Sequence, residues 1–162
     1  MNCGSNESLK PTKAVTMEFW INPSSYCPEA RIPLTGFSLR CGYTFWQYAE
    51  GGNAICLPMD LNEAGGQRRF MDLSLSFIPL NIWTHGVLIF DAENGKLTAY
   101  KNGNFFKDQD IVPGDIVYEG DFSAGNGFQG LSDEIRIYDW GLSEEGIKAH
   151  FLGARVPKVR QL

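Results

Sequence analysis

The sequence predicts an all-β protein: a two-sheet antiparallel β-sandwich with one short C-terminal helix. Three observations carry this. Several segments alternate apolar and polar residues with period two, as half-buried strands do. Eighteen glycines and eight prolines suit many short strands joined by tight turns. Two Asn-Gly pairs, Asn94-Gly95 and Asn102-Gly103, lie close together, and each accepts the positive φ of a type I′ hairpin. The chain is 162 residues long, 43% hydrophobic and 13% aromatic, enough for one well-filled core.

Taken in order, Ser5 to Lys10 is expected to be a first edge strand, ended by Pro11. Thr16 to Asn22 is a strand with Met17, Phe19 and Ile21 on one face and Glu18, Trp20 and Asn22 on the other. Large apolar groups on both faces make it central. Ser24 to Pro33 follows Pro23, holds two more prolines and is expected to be irregular. Phe37 to Tyr48 is the most aromatic predicted strand, with Phe37, Leu39, Cys41, Tyr43 and Phe45 inward. Ala54 to Leu57 is brief. Arg69 to Ile78 alternates, with Met71, Leu73, Leu75 and Phe77 inward.

Ile82 to Asp91 is apolar on both faces and again central. The two Asn-Gly turns then specify a three-strand meander through Leu97–Lys101 to Phe105-Phe106. A further strand is expected at Ile116 to Tyr118. From Glu134 to Trp140 the chain alternates once more, Ile135 and Ile137 to one side and Glu134, Arg136 and Tyr138 to the other. This closing strand is followed by a helix from Ser143, as N-cap, to about Phe151, with Glu144 and Glu145 in its first turn. Gly146 leaves the reciprocal capping box unmade.

Three segments carry a family resemblance. "GFQGLSDEIRIYDWGLSEEGI" from Gly127, "VTMEFWINP" from Val15 and "WTHGVLIFDAENGKLTAYKNG" from Trp83 resemble, in the same order, the motifs of laminin-G-like and concanavalin A-like jelly-roll domains. The resemblance implies one jelly-roll domain over residues 1–152, an extended tail over 153–162, about twelve strands, one concave sheet, and a first strand lying beside the closing one. The fold hosts lectins, glycanases, adhesion modules and plain structural units, so function rests on the site.

Composition narrows the partners. A net charge of −5 argues against nucleic acid, for which a basic patch is expected. No apolar run reaches transmembrane length, so no membrane insertion is expected. The opening Met1-Asn2-Cys3-Gly4 is not a signal peptide. That start fits either a module cut from a longer secreted or cell-surface protein, or a protein such as a virion subunit that bypasses secretion. Cys3, Cys27, Cys41 and Cys56 form no CxxC pair, which argues against zinc; they allow three disulfide pairings, and Cys41, on the inward side of its predicted strand, is expected to be a buried free thiol.

The glycanases of the fold place paired carboxylates at alternate positions of one strand. Glu119-Gly120-Asp121 is the nearest approach and lacks the third partner, so the chain is expected not to be an enzyme. His85 matches the family's Trp-x-His element, which is structural there. The resemblance also implies one structural calcium ion, with Asp133 as a ligand together with carbonyls near Gly4 or Asn6. The competing role for Asp133, placed ahead of it, is to cap local backbone N–H groups and fix the closing strand.

Sugar binding needs an exposed ring and planar polar groups beside it. Arg40, Trp46 and Tyr48 form one candidate set, with Gln47 and Asn53 nearby; Tyr100, Asn102 and Asn104, with Phe105, form another. The expected function is a non-catalytic structural or recognition module of a surface assembly, for example a viral capsid decoration or fibre component. The alternative is a carbohydrate-binding or adhesion module. Expected partners are a glycan or protein at a cell or particle surface, and neighbouring subunits, on which the tail, with Val156, Pro157, Val159 and its basic residues, is expected to dock.

Overall fold

A computed structural model describes residues 2–26, 32–37, 42–47, 53–58, 68–73, 77–118, 120–124 and 128–153. Among them the order is β1 (Asn2–Gly4), a 3-10 turn (Glu7–Leu9), β2 (Ala14–Pro23), β3 (Ile32–Gly36), β4 (Thr44–Gln47), β5 (Asn53–Pro58), β6 (Arg68–Leu73), β7 (Thr84–Asp91), β8 (Lys96–Lys101), β9 (Asn104–Asp110), β10 (Phe122–Ala124), β11 (Gly130–Tyr138) and α1 (Glu144–Gly153). The strands form two antiparallel sheets, one of six in the order β1-β10-β3-β4-β5-β6 and one of five in the order β11-β2-β7-β8-β9. No helix among the described residues is long and apolar enough to cross a membrane.

Alternation fills the space between the sheets. Val15, Met17, Phe19 and Ile21 of β2, Leu88 and Phe90 of β7, and Leu97 and Ala99 of β8 meet Phe45 of β4, Met71 and Leu73 of β6 and Phe122 of β10 in one buried cluster. Phe19 and Phe45 stack across it with ring centroids 5.1 Å apart. The other face of the five-stranded sheet is covered as well: Val87 and Ile89 form a second, smaller core with Ile147 of α1. The two strands expected to be central, β2 and β7, are therefore buried on both sides.

The meander follows its turns. Asn102 (φ 50°) and Gly103 (φ 75°) are both left-handed, as a type I′ hairpin requires. The Asn94-Gly95 connection differs from the expectation. Asp91 pairs with Lys96, which leaves the longer loop 92–95, and of its Asn-Gly pair only Gly95 (φ 71°) is left-handed. Asp91 explains this: its carboxylate accepts both the backbone N–H and the side-chain amide of Asn94, at 2.9–3.1 Å, holding the loop open.

Other expectations are corrected. Ser5 to Lys10 is not a strand; it holds the 3-10 turn, which Asn6 caps by accepting the Ser8 N–H at 3.0 Å. The first strand is β1, and it pairs with β10, not with the closing strand, whose neighbour is β2. Phe37 to Tyr48 is not one strand. Gly36 (φ 125°) and Gly42 (φ 76°) let the chain reverse, so Gly36 pairs with Thr44 across a hairpin and the Phe37 N–H reaches the Tyr43 carbonyl at 3.1 Å. Residues 38–41, with Leu39 and Cys41, lie outside the described residues. Ile116 makes an isolated bridge instead of a strand. The tail from residue 154 also lies outside the described residues.

The closing strand and helix match the reading. Ile135 and Ile137 pack on the core, and Ser143 caps α1, its hydroxyl accepting the Gly146 N–H at 3.2 Å.

Candidate recognition surface on the outer face of the five-stranded sheet

Glu18 is the centre of this face. It projects from β2 beneath α1 and is buried, which an acid tolerates only when its oxygens are satisfied. Oε1 lies 2.8 Å from His85 Nε2 of β7. Oε2 accepts the Tyr138 hydroxyl at 2.7 Å and lies 3.2 Å from His150 Nδ1 of α1. Arg136 stands at 3.6 Å from the same oxygen and pairs with Glu134 at the surface. Burial opposes ionisation of Glu18, but the hydrogen bonds from His85 and Tyr138 and the neighbouring His150 outweigh it and hold the carboxyl at about 2. Burial, then the bond to Glu18, pushes Tyr138 up to about 12.

Rings seal the cluster. Trp20 and Phe151 stack at 5.8 Å, and His85 lies 5.1 Å from Trp20 and 5.8 Å from Phe151. His85 thus holds a strand and a helix together, in keeping with its expected structural role.

The meander turn packs against the same helix. Asn102 Oδ1 accepts the His85 N–H at 3.0 Å, and the Asn102 N–H donates to the His85 carbonyl at 2.8 Å. Gly103 is pressed against Phe151, where an added Cβ would meet that ring at 3.0 Å. The turn is therefore a rigid base. On it, Phe105 is 54% exposed and its ring meets Tyr100 edge-on at 6.0 Å. Asn104 is exposed, its amide donating to the Asn102 carbonyl at 2.9 Å, which leaves its carbonyl oxygen outward-bonding capacity. Burial first, then the acids Glu144 and Asp108, raise the Tyr100 hydroxyl above its usual range. Tyr100 and Phe105 are thus brought together, with Asn104 next along the strand, whereas Asn102 is spent on the fold.

The other expected site residues are placed elsewhere. Arg40 and Tyr48 lie outside the described residues, and of Trp46 the strand position in β4, opposite Ala54, is described. Asp133 is exposed on β11, and its Oδ1 accepts the N–H of Glu134 at 2.8 Å. Glu134 is left-handed (φ 53°) at the point where the β11–β2 register shifts, so Asp133 stabilises that bulge. Calcium takes six to eight oxygens; among the described residues no three His, Cys, Asp or Glu side chains gather to hold a metal ion. Of the segment expected to complete the set, Gly4 is paired into the six-stranded sheet and Asn6 caps the 3-10 turn. Glu119 lies outside the described residues, and Asp121 accepts the Asn2 amide at 2.9 Å. Cys3 is an exposed free thiol.

Sequence reasoning missed Glu18, Tyr138 and His150 as one group. The available signal was an acid inside an otherwise apolar strand, in a chain with two histidines.

Residues 3–148 match the family model described as the concanavalin A-like lectin/glucanases superfamily. No curated protein matches the chain. Among solved structures, the binding domain of Paraclostridial Mosquitocidal Protein 1 is similar with TM-score 0.70 and 19% identity, over 93% of this chain and 40% of that one. The receptor binding domain of botulinum neurotoxin mosaic serotype C/D, carrying a tetraethylene glycol molecule on its Hcn sub-domain, is similar with TM-score 0.67 and 16% identity, over 87% and 36%. The botulinum neurotoxin serotype D ligand binding domain, in complex with N-acetylneuraminic acid, gives TM-score 0.67 and 15% identity, over 87% and 36%. The chain thus spans well under half the length of these structures, and at such identities the likeness is one of fold.

Proposed function

The chain belongs to the concanavalin A-like lectin/glucanases superfamily, and from that premise we propose that it is a non-catalytic recognition module for a glycan or glycan-bearing receptor at a cell or particle surface. The observation that carries this is the Phe105 ring, 54% exposed on a turn fixed by Asn102 and backed by Phe151. An apolar ring held out into solvent on a rigid base loses little entropy on binding, and a sugar face is a fitting partner for it. Tyr100 at its edge and Asn104 beside it supply polar groups for hydroxyls. The solved toxin binding domains of the same fold support this class of function.

The test is binding of the full chain to a panel of immobilised glycans, with Phe105→Ala and Trp46→Ala beside the wild type. Phe105→Ala is expected to lose at least tenfold in affinity while melting as the wild type does. Equal binding by wild type and Phe105→Ala removes the hairpin surface from the site, and the Trp46→Ala arm then tests the Arg40, Trp46 and Tyr48 set. Release of reducing sugar from any β-glucan would overturn the non-catalytic reading.

The second reading is a subunit of a surface assembly, a virion decoration included. It is favoured by β9, a terminal strand of its sheet whose side chains are exposed except at Phe106. A monomeric mass in solution at high protein concentration would count against it.

A further inference from the structure

We propose a second carbohydrate subsite, just past the end of β11 and beside α1, in which Trp140 stacks on the face of a neutral pyranose. The inference rests on the recognition-module reading and adds a place and a sugar class to it. Trp140 is 54% exposed, yet its backbone is locked. The hydroxyl of buried Thr16 donates to the Trp140 carbonyl at 2.7 Å and accepts the Leu142 N–H at 3.1 Å. A large ring displayed on a fixed backbone, next to a short loop into a capped helix, is a preorganised stacking surface.

Its surroundings are planar and polar. The Tyr138 ring meets Trp140 edge-on at 5.4 Å and stacks on His150 at 6.2 Å. Both Tyr138 and His150 are anchored by the same oxygen of Glu18. His150 faces Glu18 through Nδ1, so Nε2 is its other ring nitrogen, turned to a different partner. The half-exposed Arg136 guanidinium and its partner Glu134 add donors and acceptors from β11. Arg136, Glu134 and His150 therefore offer both hydrogen-bond senses to ring hydroxyls around an apolar face.

Charge selects among sugars. The exposed acids Glu134 and Asp139, with Glu144 and Glu145 at the start of α1, outnumber Arg136 along this stretch, in a chain of net charge −5. A carboxylated sugar would meet repulsion here, and a neutral hexose would not.

The experiment is an NMR titration of the full, nitrogen-labelled chain with the methyl glycosides of glucose, galactose and mannose, and separately with N-acetylneuraminic acid, following the Trp140 indole N–H. At least one neutral glycoside is expected to shift that resonance saturably, with N-acetylneuraminic acid leaving it in place. Trp140→Ala should abolish the binding, and Trp140→Phe should restore part of it. The subsite is overturned if no neutral glycoside moves the resonance, if the acid moves it as strongly, or if binding survives in Trp140→Ala. A protein partner that moves it where no sugar does overturns it too. Glycan binding lost in Phe105→Ala while Trp140 stays silent would remove this subsite and leave the recognition-module reading standing; no ligand for either ring would remove both.

Discussion

Glu18 and His85 meet as a buried pair, with Oε1 2.8 Å from Nε2 and each side chain 1% exposed. The pair joins β2 to β7 on the face that α1 covers, and Tyr138 and His150 complete it. Removing a partner from such a group leaves a buried charge uncompensated, which is why its energetics dominate this face.

Acid should unmake this arrangement. The folded Glu18 carboxyl lies at about 2, below its ordinary 4.5. A depressed folded value means the stabilisation is complete above the unfolded value and is lost as pH falls from 4.5 toward about 2. Over that window wild-type stability should drop by on the order of 2–3 kcal/mol more than that of Glu18→Gln. Denaturant midpoints across the acid range measure this; parallel curves would refute it.

Gly86 should resist substitution. It lies in β7 beneath the Phe19 ring, and a Cβ there would stand 2.4 Å from Phe19 Cε2 and 2.6 Å from Cζ. Phe19 is buried and stacked on Phe45, so it has no open space to enter. Gly86→Ala should cost about 1–3 kcal/mol by overpacking. Thermal melting decides it, and an unchanged midpoint would show that the ring adjusts freely.

Asp133 is expected to act as a backbone cap. Asp133→Ala should lower stability by about 1 kcal/mol, equally with and without millimolar calcium, as the loss of a carboxylate that accepts the Glu134 N–H. If calcium instead raises the wild-type melting temperature as RT ln(1 + [L]/Kd) and fails to do so in Asp133→Ala, the residue holds the ion that the family resemblance implies.

Long strands were legible in the sequence because burial on one face or both leaves a periodic trace. β2, β7, β8 and β11 are such strands, and their inward residues are those the alternation selects. β1 and β10 were not legible: each is a three-residue strand, too short for a period, and they pair with each other across most of the chain. The β3–β4 hairpin misled the reading because Phe37 and Tyr43, on opposite sides of the reversal, both enter the core and imitate one alternating strand. At the surface, the Tyr100 and Phe105 rings meet on the paired strands that the hairpin joins, and Asn104 bonds within the turn. The Glu18 group was hidden by distance: Tyr138 and His150 lie 120 and 132 positions along the chain from the carboxylate they bind.

That separation has a consequence for biosynthesis. Glu18 is made early, and the strand and helix that supply two of its partners are made late. While the chain is still on the ribosome, β2 and β7 can bring His85 to the carboxylate, but that face has no roof. The half-made sheet is then better served by leaving Glu18 in water, so closure of this face waits for the arrival of β11 and α1. A chain interrupted before Tyr138 would carry an acid that cannot be buried without loss. The closed form of this face thus depends on the segment that ends in α1.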